Sequence, residues 1–288
     1  MKYAFIHQQQ AQHRIQTLCR ILGVSRSGYY AWQHHPESQR AQQDRRLVAE
    51  IRQLHAQTHE RFGGVKMWHS LKASGHACGK HRIARLRRRH GIWARRRKRF
   101  VITTRSKPGG WHAPNLLQRD FTAPAPDRIW VGDVTFIPTR QGWLYLAVLI
   151  DLYSRLVVGW AMSARNDTRL LSEAWVMAVA RRCPKPGLIH HSDRGQTYAS
   201  GVYRQQLADA HMQQSMSRKG DGWDNAVAES FFASVEFELI DQQTFESRAQ
   251  ARTALFEYIE VFYNRQRIHQ TLNYQTPAAV DAAFQAAA

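Results

Sequence analysis

"RIWVGDVTFIPT", residues 128–139, is rich in β-branched and aromatic residues and reads as a strand. One residue does not suit it. Asp133 lies between Gly132 and Val134, in the middle of the apolar run. A carboxylate there is costly unless a bound cation or an arginine compensates its charge.

Downstream, "RQGW" reads as a turn, and "WLYLAVLIDLY" and "RLVVGWAMS" as two further strands. "DTRLLSEAWVMAVARR" (167–182) predicts a helix with Asp167 as N-cap. Then come the strand "GLIHHS", a helix near 198–211 and a short apolar piece at 212–216. "SRKGDGWDN" (217–225) is a polar glycine loop, and a long helix starts at about Asp224. Three strands in a meander followed by alternating helices and strands imply an α/β fold with a mixed sheet flanked by helices.

Two more carboxylates stand at notable places. Asp193 leaves the strand "GLIHHS" and is followed by Arg194 and Gly195, a glycine expected to let the backbone turn away. Glu229 lies in "WDNAVAESFF", near the start of the long helix. Each has an ordinary reading alone: an arginine pair for Asp133, an Asx turn for Asp193, a first-turn helix acid for Glu229. His190 and His191 read as strand packing with supporting hydrogen bonds rather than as metal ligands.

Upstream, the charge is unevenly spread. The whole chain carries a formal +19, yet residues 61–119 hold 17 Lys and Arg and no Asp or Glu. Residues 120–288 are near neutral, with 16 basic and 18 acidic side chains. This favours a polyanion-binding module attached to a separate core. "RRLVAEIRQLHAQT", "GGVKMWHSLKASG" and "GKHRIARLRRRHGIWARRRKRF" read as three helices with glycine turns, a helix-turn-helix-like arrangement. Ile83, Leu86, His90 and Trp93 are expected to form the apolar edge of the third. The candidate DNA contacts are Arg82, Arg85, Arg88, Arg89, Arg95, Arg96, Arg97 and Lys98, with Arg218 and Lys219 in the later glycine loop. "TLCRILGVSRSGYYAW" (17–32) also reads helix, turn, helix, broken at Gly23 and capped by Ser25.

The divisions expected are a helix-turn-helix-like segment at 1–43, a basic helical DNA-binding module at 44–105, a Pro/Gly-rich linker at 106–127 and an α/β core with C-terminal helices at 128–288. Three cysteines without a C-x-x-C pair suggest neither a disulfide framework nor a thiolate zinc site. The longest apolar run, "WLYLAVLI", is far too short to cross a bilayer, and the first ten residues do not read as a secretory signal. The composition suits a soluble protein of a reducing compartment.

The three carboxylates, with 35 residues between Asp193 and Glu229, resemble the DDE triad of the retroviral-integrase superfamily. The words around them sharpen the likeness. "RIWVGDVTFI", "YLAVLIDLYSRLVVGWAMS", "HHSDRGQTYAS", "SMSRKGDGWDNAVAESFF" and "FYNRQRIHQTLNYQTPAAV" resemble the second-frame (OrfB) transposase of the IS-three family of bacterial insertion sequences. "LCRILGVSRSGYYAW" and "RFGGVKMWHSLKASG" resemble its amino-terminal half, so the likeness covers almost the whole chain.

The resemblance implies an RNase H-like core, with Asp133 on the central strand, Asp193 at the end of a neighbouring strand and Glu229 on a helix. It implies metal-dependent nicking and strand transfer by two-metal phosphoryl transfer, with Asp133, Asp193 and Glu229 as ligands. Mg²⁺ prefers such hard oxygen ligands, and Mn²⁺ is expected to substitute. The implied partners are DNA (element ends and target), further copies of the chain on that DNA, and an upstream-frame (OrfA) protein or fusion. The implied location is the bacterial cytoplasm, at the nucleoid. The competing reading is a catalytically inactive DNA-binding protein or repressor from a decayed element, which has no need of the three carboxylates together. The chain departs from the family at Glu236, seven residues after Glu229, where relatives usually carry Lys or Arg.

Overall fold

The computed structural model of the chain describes residues 2–34, 38–94, 111–218 and 222–287. Among the described residues six helices come first: α1 (Lys2–Gln9), α2 (Ile15–Ile21), α3 (Arg26–His34), α4 (Gln39–Gln57), α5 (Gly64–Ala73) and α6 (Lys80–Arg89). The α/β part follows as β1 (Ile129–Thr139), β2 (Gly142–Asp151), β3 (Val157–Ser163), α7 (Thr168–Arg182), β4 (Ile189–Ser192), α8 (Gly201–Asp209) and β5 (Gln213–Met216). It ends with α9 (Ala226–Glu238), α10 (Arg248–Phe256), which runs on as a π-helical turn through Tyr263, and α11 (Pro277–Ala287).

The sheet order is β3-β2-β1-β4-β5. β1, β2 and β3 form the antiparallel meander, while β4 and β5 run parallel to β1 on its other side. This is the RNase H-like arrangement. β2 displays the period of two that lets a sheet be covered on both faces. Leu144, Leu146, Val148 and Ile150 pack with Phe231 and Val235 of α9 and Leu255 of α10. Ala147 and Leu149 face the other way, against Leu170, Leu171 and Ala174 of α7. Gly159 of β3 permits the close approach of α7: a Cβ there would strike the backbone carbonyl of Ala174 and the Ala178 amide.

The expected caps are in place. Ser25 Oγ accepts the Gly28 N–H at 3.0 Å, Asp167 Oδ1 accepts the Leu170 N–H at 3.1 Å, and Gly23 turns the chain with φ +61°. α1–α3 close their own small core around Ile6, Leu18, Cys19 and Tyr29.

Two expectations are corrected. First, the module around α4–α6 is not a body apart. Its Ile51, Met67, Ile83 and Leu86 belong to one continuous apolar cluster with Phe231, Ile259 and Phe262 of the α/β part. A three-helix unit this small buries only a limited share of its apolar surface alone and gains by sharing a core. Arg61 fastens the seam, donating to the Glu238 carbonyl at 3.0 Å and lying 4.3 Å over the Phe262 ring, while His69 stacks on Tyr274 at 3.6 Å. Second, α6 stops at Arg89, and Gly91 at φ +64° turns the chain. Ile92 is buried in place of His90 and Trp93, both of which are exposed. The part of the expected linker that the structure describes, 111–127, has no helix or strand and packs on the core through Ala113 and Leu117.

Candidate active site

Asp133 and Asp193 meet because of strand register. β1 and β4 pair in parallel over four positions, ending at Gly132 opposite Ser192. The next residue on each strand is an aspartate. The two carboxylates therefore stand at the same level, Asp133 in the middle of β1, which runs on to Thr139 beside β2, and Asp193 just past the carboxyl end of β4. Asp133 Oδ1 accepts the Val134 N–H at 2.8 Å, and Asp193 Oδ1 accepts the Gly195 N–H at 2.9 Å. Both residues are half-buried.

Gly195 does its work by leaving room rather than by bending freely. Its φ is not positive, but a Cβ would come within 2.9 Å of the Asp193 Oδ1 that its own N–H holds. Gly132 also makes space: a Cβ there would lie 3.0 Å from Leu149 Cδ2 and 3.2 Å from His190 Nε2.

Glu229 comes from the first turn of α9. Its neighbour Ala228 is buried against Leu117, Val131 and Leu152, which anchors that turn beside β1. Glu229 itself is exposed. The three carboxylates feel one another. Burial pushes the Asp133 carboxyl well above its ordinary value, and the charges of Asp193 and Glu229 push it further. Burial also raises Asp193 and Glu229. Negative charge is thus gathered at one point with, among the described residues, no arginine hydrogen-bonded to Asp133, a donor set of hard oxygens suited to a divalent cation. Among the described residues, no group of three or more His, Cys, Asp or Glu side chains is already arranged to hold a metal ion. Glu229 is the member standing furthest out into solvent.

The two histidines behave as packing and support. His190 is fully buried, 3.0 Å from the Tyr203 hydroxyl, and burial holds its pKa down at about 3. His191 Nε2 lies 2.9 Å from the Asp224 carbonyl, which can only accept, so Nε2 carries the proton. Its Nδ1 then accepts from Ser215 Oγ at 2.8 Å, and Ser215 Oγ in turn accepts the Leu116 N–H. Both ring nitrogens of His191 are committed.

Sequence reading missed Asp224. Its side chain is wholly buried and held by Arg218, Arg119 and Asn115. The Arg218 hydrogen bonds, ahead of the opposing cost of burial, keep its carboxyl well below the usual range. The available signal was an acid five residues before Glu229 in an otherwise glycine-rich loop.

The candidate DNA contacts are scattered in their surroundings. Arg82 and Arg85 both grip Asp44, each at 2.7 Å. Arg88 and Arg89 are exposed, whereas their neighbour Arg87 turns inward to the Phe62 carbonyl at 3.1 Å. Arg218 is held on Asp224. Arg95, Arg96, Arg97, Lys98 and Lys219 lie outside the described residues. Glu236 is exposed on α9, two turns beyond Glu229.

Comparison with known proteins agrees with this architecture. Residues 123–221 and 210–277 match two family models described as integrase core domain, and residues 42–100 match an HTH-like domain. The insertion element IS600 uncharacterized 31 kDa protein of Shigella sonnei is 41% identical over 262 residues, covering 91% of this chain and 96% of the relative. The transposase InsF for insertion sequence IS3A of Escherichia coli (strain K12) is 40% identical over 271 residues, covering 93% and 94%. The transposase for insertion sequence element IS904 of Lactococcus lactis subsp. lactis (strain IL1403) is 38% identical over 246 residues, covering 84% and 96%. An RNase H-like integrase core joined to a helix-turn-helix-like module defines a DNA polynucleotidyl transferase of the DDE type. The chain belongs to the transposases of the IS3 family of insertion sequences. No helix among the described residues is long and apolar enough to cross a membrane.

Proposed function

We propose that Asp133, Asp193 and Glu229 hold Mg²⁺, with Mn²⁺ able to substitute, and that the chain nicks DNA at the ends of its insertion sequence and joins them to a target. The observation that carries this reading is the register at the split of β1 from β4, which sets two aspartates side by side beyond the last paired rung. The backbone amides of Val134 and Gly195 fix the two aspartates, so these are the pre-set part of the site. Glu229, exposed on the first turn of α9, swings in to complete it. When bound, the divalent ions supply Lewis-acid activation of an attacking oxygen and stabilise the leaving oxygen. The attacking group is water in nicking and a DNA 3′-hydroxyl in joining, so no covalent protein nucleophile is needed.

The exposed Arg88 and Arg89 at the end of α6 serve as backbone contacts to DNA, because cations there neutralise phosphate and release counterions. Arg82 and Arg85 act first on Asp44, fixing α6 against α4. The working form is an oligomer on DNA, assisted by an upstream-frame protein or fusion, in the bacterial cytoplasm.

The test is incubation with an oligonucleotide duplex carrying the native element end, with Mg²⁺ or Mn²⁺, reading nicked and joined strands. Wild type yields both products, and Glu229→Gln yields neither while binding the duplex as tightly. Wild type that binds the duplex but makes no product, or Glu229→Gln that makes it at the wild-type rate, refutes the assignment.

A further inference from the structure

We infer that the amino terminus of α5, with the buried guanidinium of Arg87 beside it, binds one phosphate of the DNA backbone. This rests on the DNA-binding reading above and gives it a built contact point.

The sequence leaves this helix end without a cap of its own. α5 begins at Gly64, and its N-cap is Gly63, which has no side chain to accept the first amides. The first N–H groups of an α-helix find no carbonyl within the helix. Negative charge is favoured at such an end, and anions bind there. Yet α5 has no acidic residue in its first turn. The backbone does not call for glycine at the cap, since Gly63 has φ −69° and ψ 173°, extended values that any residue adopts. What the missing side chain leaves is room: a Cβ on Gly63 would meet no atom within 4 Å.

Arg87 points to the same ligand independently. It stands in the last turn of α6 and is 7% exposed. Its Nη1 lies 3.5 Å from where a Cβ on Gly64 would stand, so the guanidinium reaches the first residue of α5. Nη2 donates to the Phe62 carbonyl at 3.1 Å. Nε is buried, and among the described residues it has no hydrogen-bond partner. A guanidinium offers several donors, and one neutral carbonyl does not offset taking its charge out of water. Burial lowers the Arg87 pKa, with no carboxylate charge acting against it. None is close along the chain either, as residues 61–119 hold no Asp or Glu. A purely structural Arg87 would be expected to have an acidic partner, as Arg82 and Arg85 have in Asp44. An anion from outside supplies what the chain omits.

The position suits DNA. Arg87 precedes Arg88 and Arg89, the exposed cations at the end of α6. Helix amino termini and arginines are common phosphate contacts, and they set a protein's register on the duplex without reading bases. The contact is therefore expected on any sequence.

The experiment uses the full chain as wild type, Gly63→Asp, Gly79→Asp and Arg87→Met. Gly63→Asp puts a carboxylate where the phosphate binds. Gly79 is the N-cap of α6, also without a side-chain cap and with no atom within 4 Å of a Cβ. Gly79→Asp thus adds the same charge at a helix end about 12 Å along α6 from Arg87. Without DNA, Gly63→Asp is expected to raise Tm more than Gly79→Asp, because only the first meets a guanidinium that lacks a carboxylate. Affinity is then measured across a salt series on two labelled duplexes, one with the native element end and one of unrelated sequence. One phosphate contact is worth about 0.9 in the slope of log K against log salt. Gly63→Asp and Arg87→Met are each expected to lower the slope by about that amount on both duplexes, and Gly79→Asp to lower it less. An unchanged slope for Gly63→Asp, an equal drop for Gly79→Asp, or equal Tm gains for the two overturns the inference. So does a folded Arg87→Met with the wild-type slope, and should that variant fail to fold, Gly63→Asp decides. If wild type binds both duplexes while the variants keep its slope, only this inference falls. If wild type binds neither duplex, the DNA-binding reading falls and takes this inference with it.

Discussion

Asp133→Asn is expected to stabilise the metal-free protein and to abolish its chemistry. Burial and then the Asp193 charge raise the Asp133 pKa, so the folded state holds that proton more tightly than the unfolded chain does. Stability from this group is present in acid and is lost as pH rises towards the raised value. From an ordinary 3.8 up to pH 7 the ceiling on that loss is about 4 kcal/mol, at about 1.4 kcal/mol per pH unit. Asparagine keeps an acceptor for the Val134 N–H but brings an amide group that must find a partner, at a cost of about 1–3 kcal/mol. The net effect expected in chelator at pH 7 is a higher Tm for Asp133→Asn, bounded above by that ceiling less the cost of the amide. The gain shrinks towards zero as pH falls to the ordinary carboxylate range. Mg²⁺ should reverse the ranking, because it stabilises wild type by binding and Asp133→Asn much less. Thermal unfolding in chelator and in Mg²⁺, at several pH values, reads all of this. Equal or lower Tm for Asp133→Asn in chelator, or an equal Mg²⁺ response in both proteins, refutes the reasoning.

His190, buried and neutral with a pKa near 3 against 6.5 unfolded, makes the unfolded chain the better proton acceptor between those values. Stability should therefore fall below pH 6.5 by up to about 1.4 kcal/mol per pH unit from this residue, and His190→Gln should show a shallower acid limb in urea titrations; an identical limb sinks the assignment. Phe62→Ala is expected to cost about 3–5 kcal/mol, because Phe62 is 2% exposed and packs across the seam on Phe262; a cost below about 1 kcal/mol would mean the helical module does not share the core. Gly159→Ala should destabilise by about 1–3 kcal/mol or more, since its Cβ meets backbone of α7 that cannot simply swing away; a neutral result in the same titration would show that α7 sits further from β3.

Much of the catalytic half was legible because its signals are local. The strand at 128–139, the meander after it and the Asp167 cap follow from alternation and turn residues, whereas the grouping of Asp133, Asp193 and Glu229 is what the resemblance to the integrase triad implies. Signals failed where a residue's fate depends on what packs against it. Trp93 has the right helical spacing to be buried, yet the helix ends first and Ile92 takes the place. Arg82, Arg85, Arg87, Arg88 and Arg89 read alike in a row, yet two hold Asp44, one is buried on the Phe62 carbonyl and two face solvent.

By itself, then, the sequence determined the class of fold and the basic segment, because hydrophobic period and net charge are properties of neighbours along the chain. Only the tertiary structure decided that β1 and β4 part company one residue before both aspartates, that the basic module shares its core with α9 and α10, and that Asp224 gathers Arg119 and Arg218. These are contacts between segments as much as about a hundred residues or more apart, as from Arg119 to Asp224. Their energies come from burial, register and charge pairing in three dimensions, which no local pattern of residues encodes.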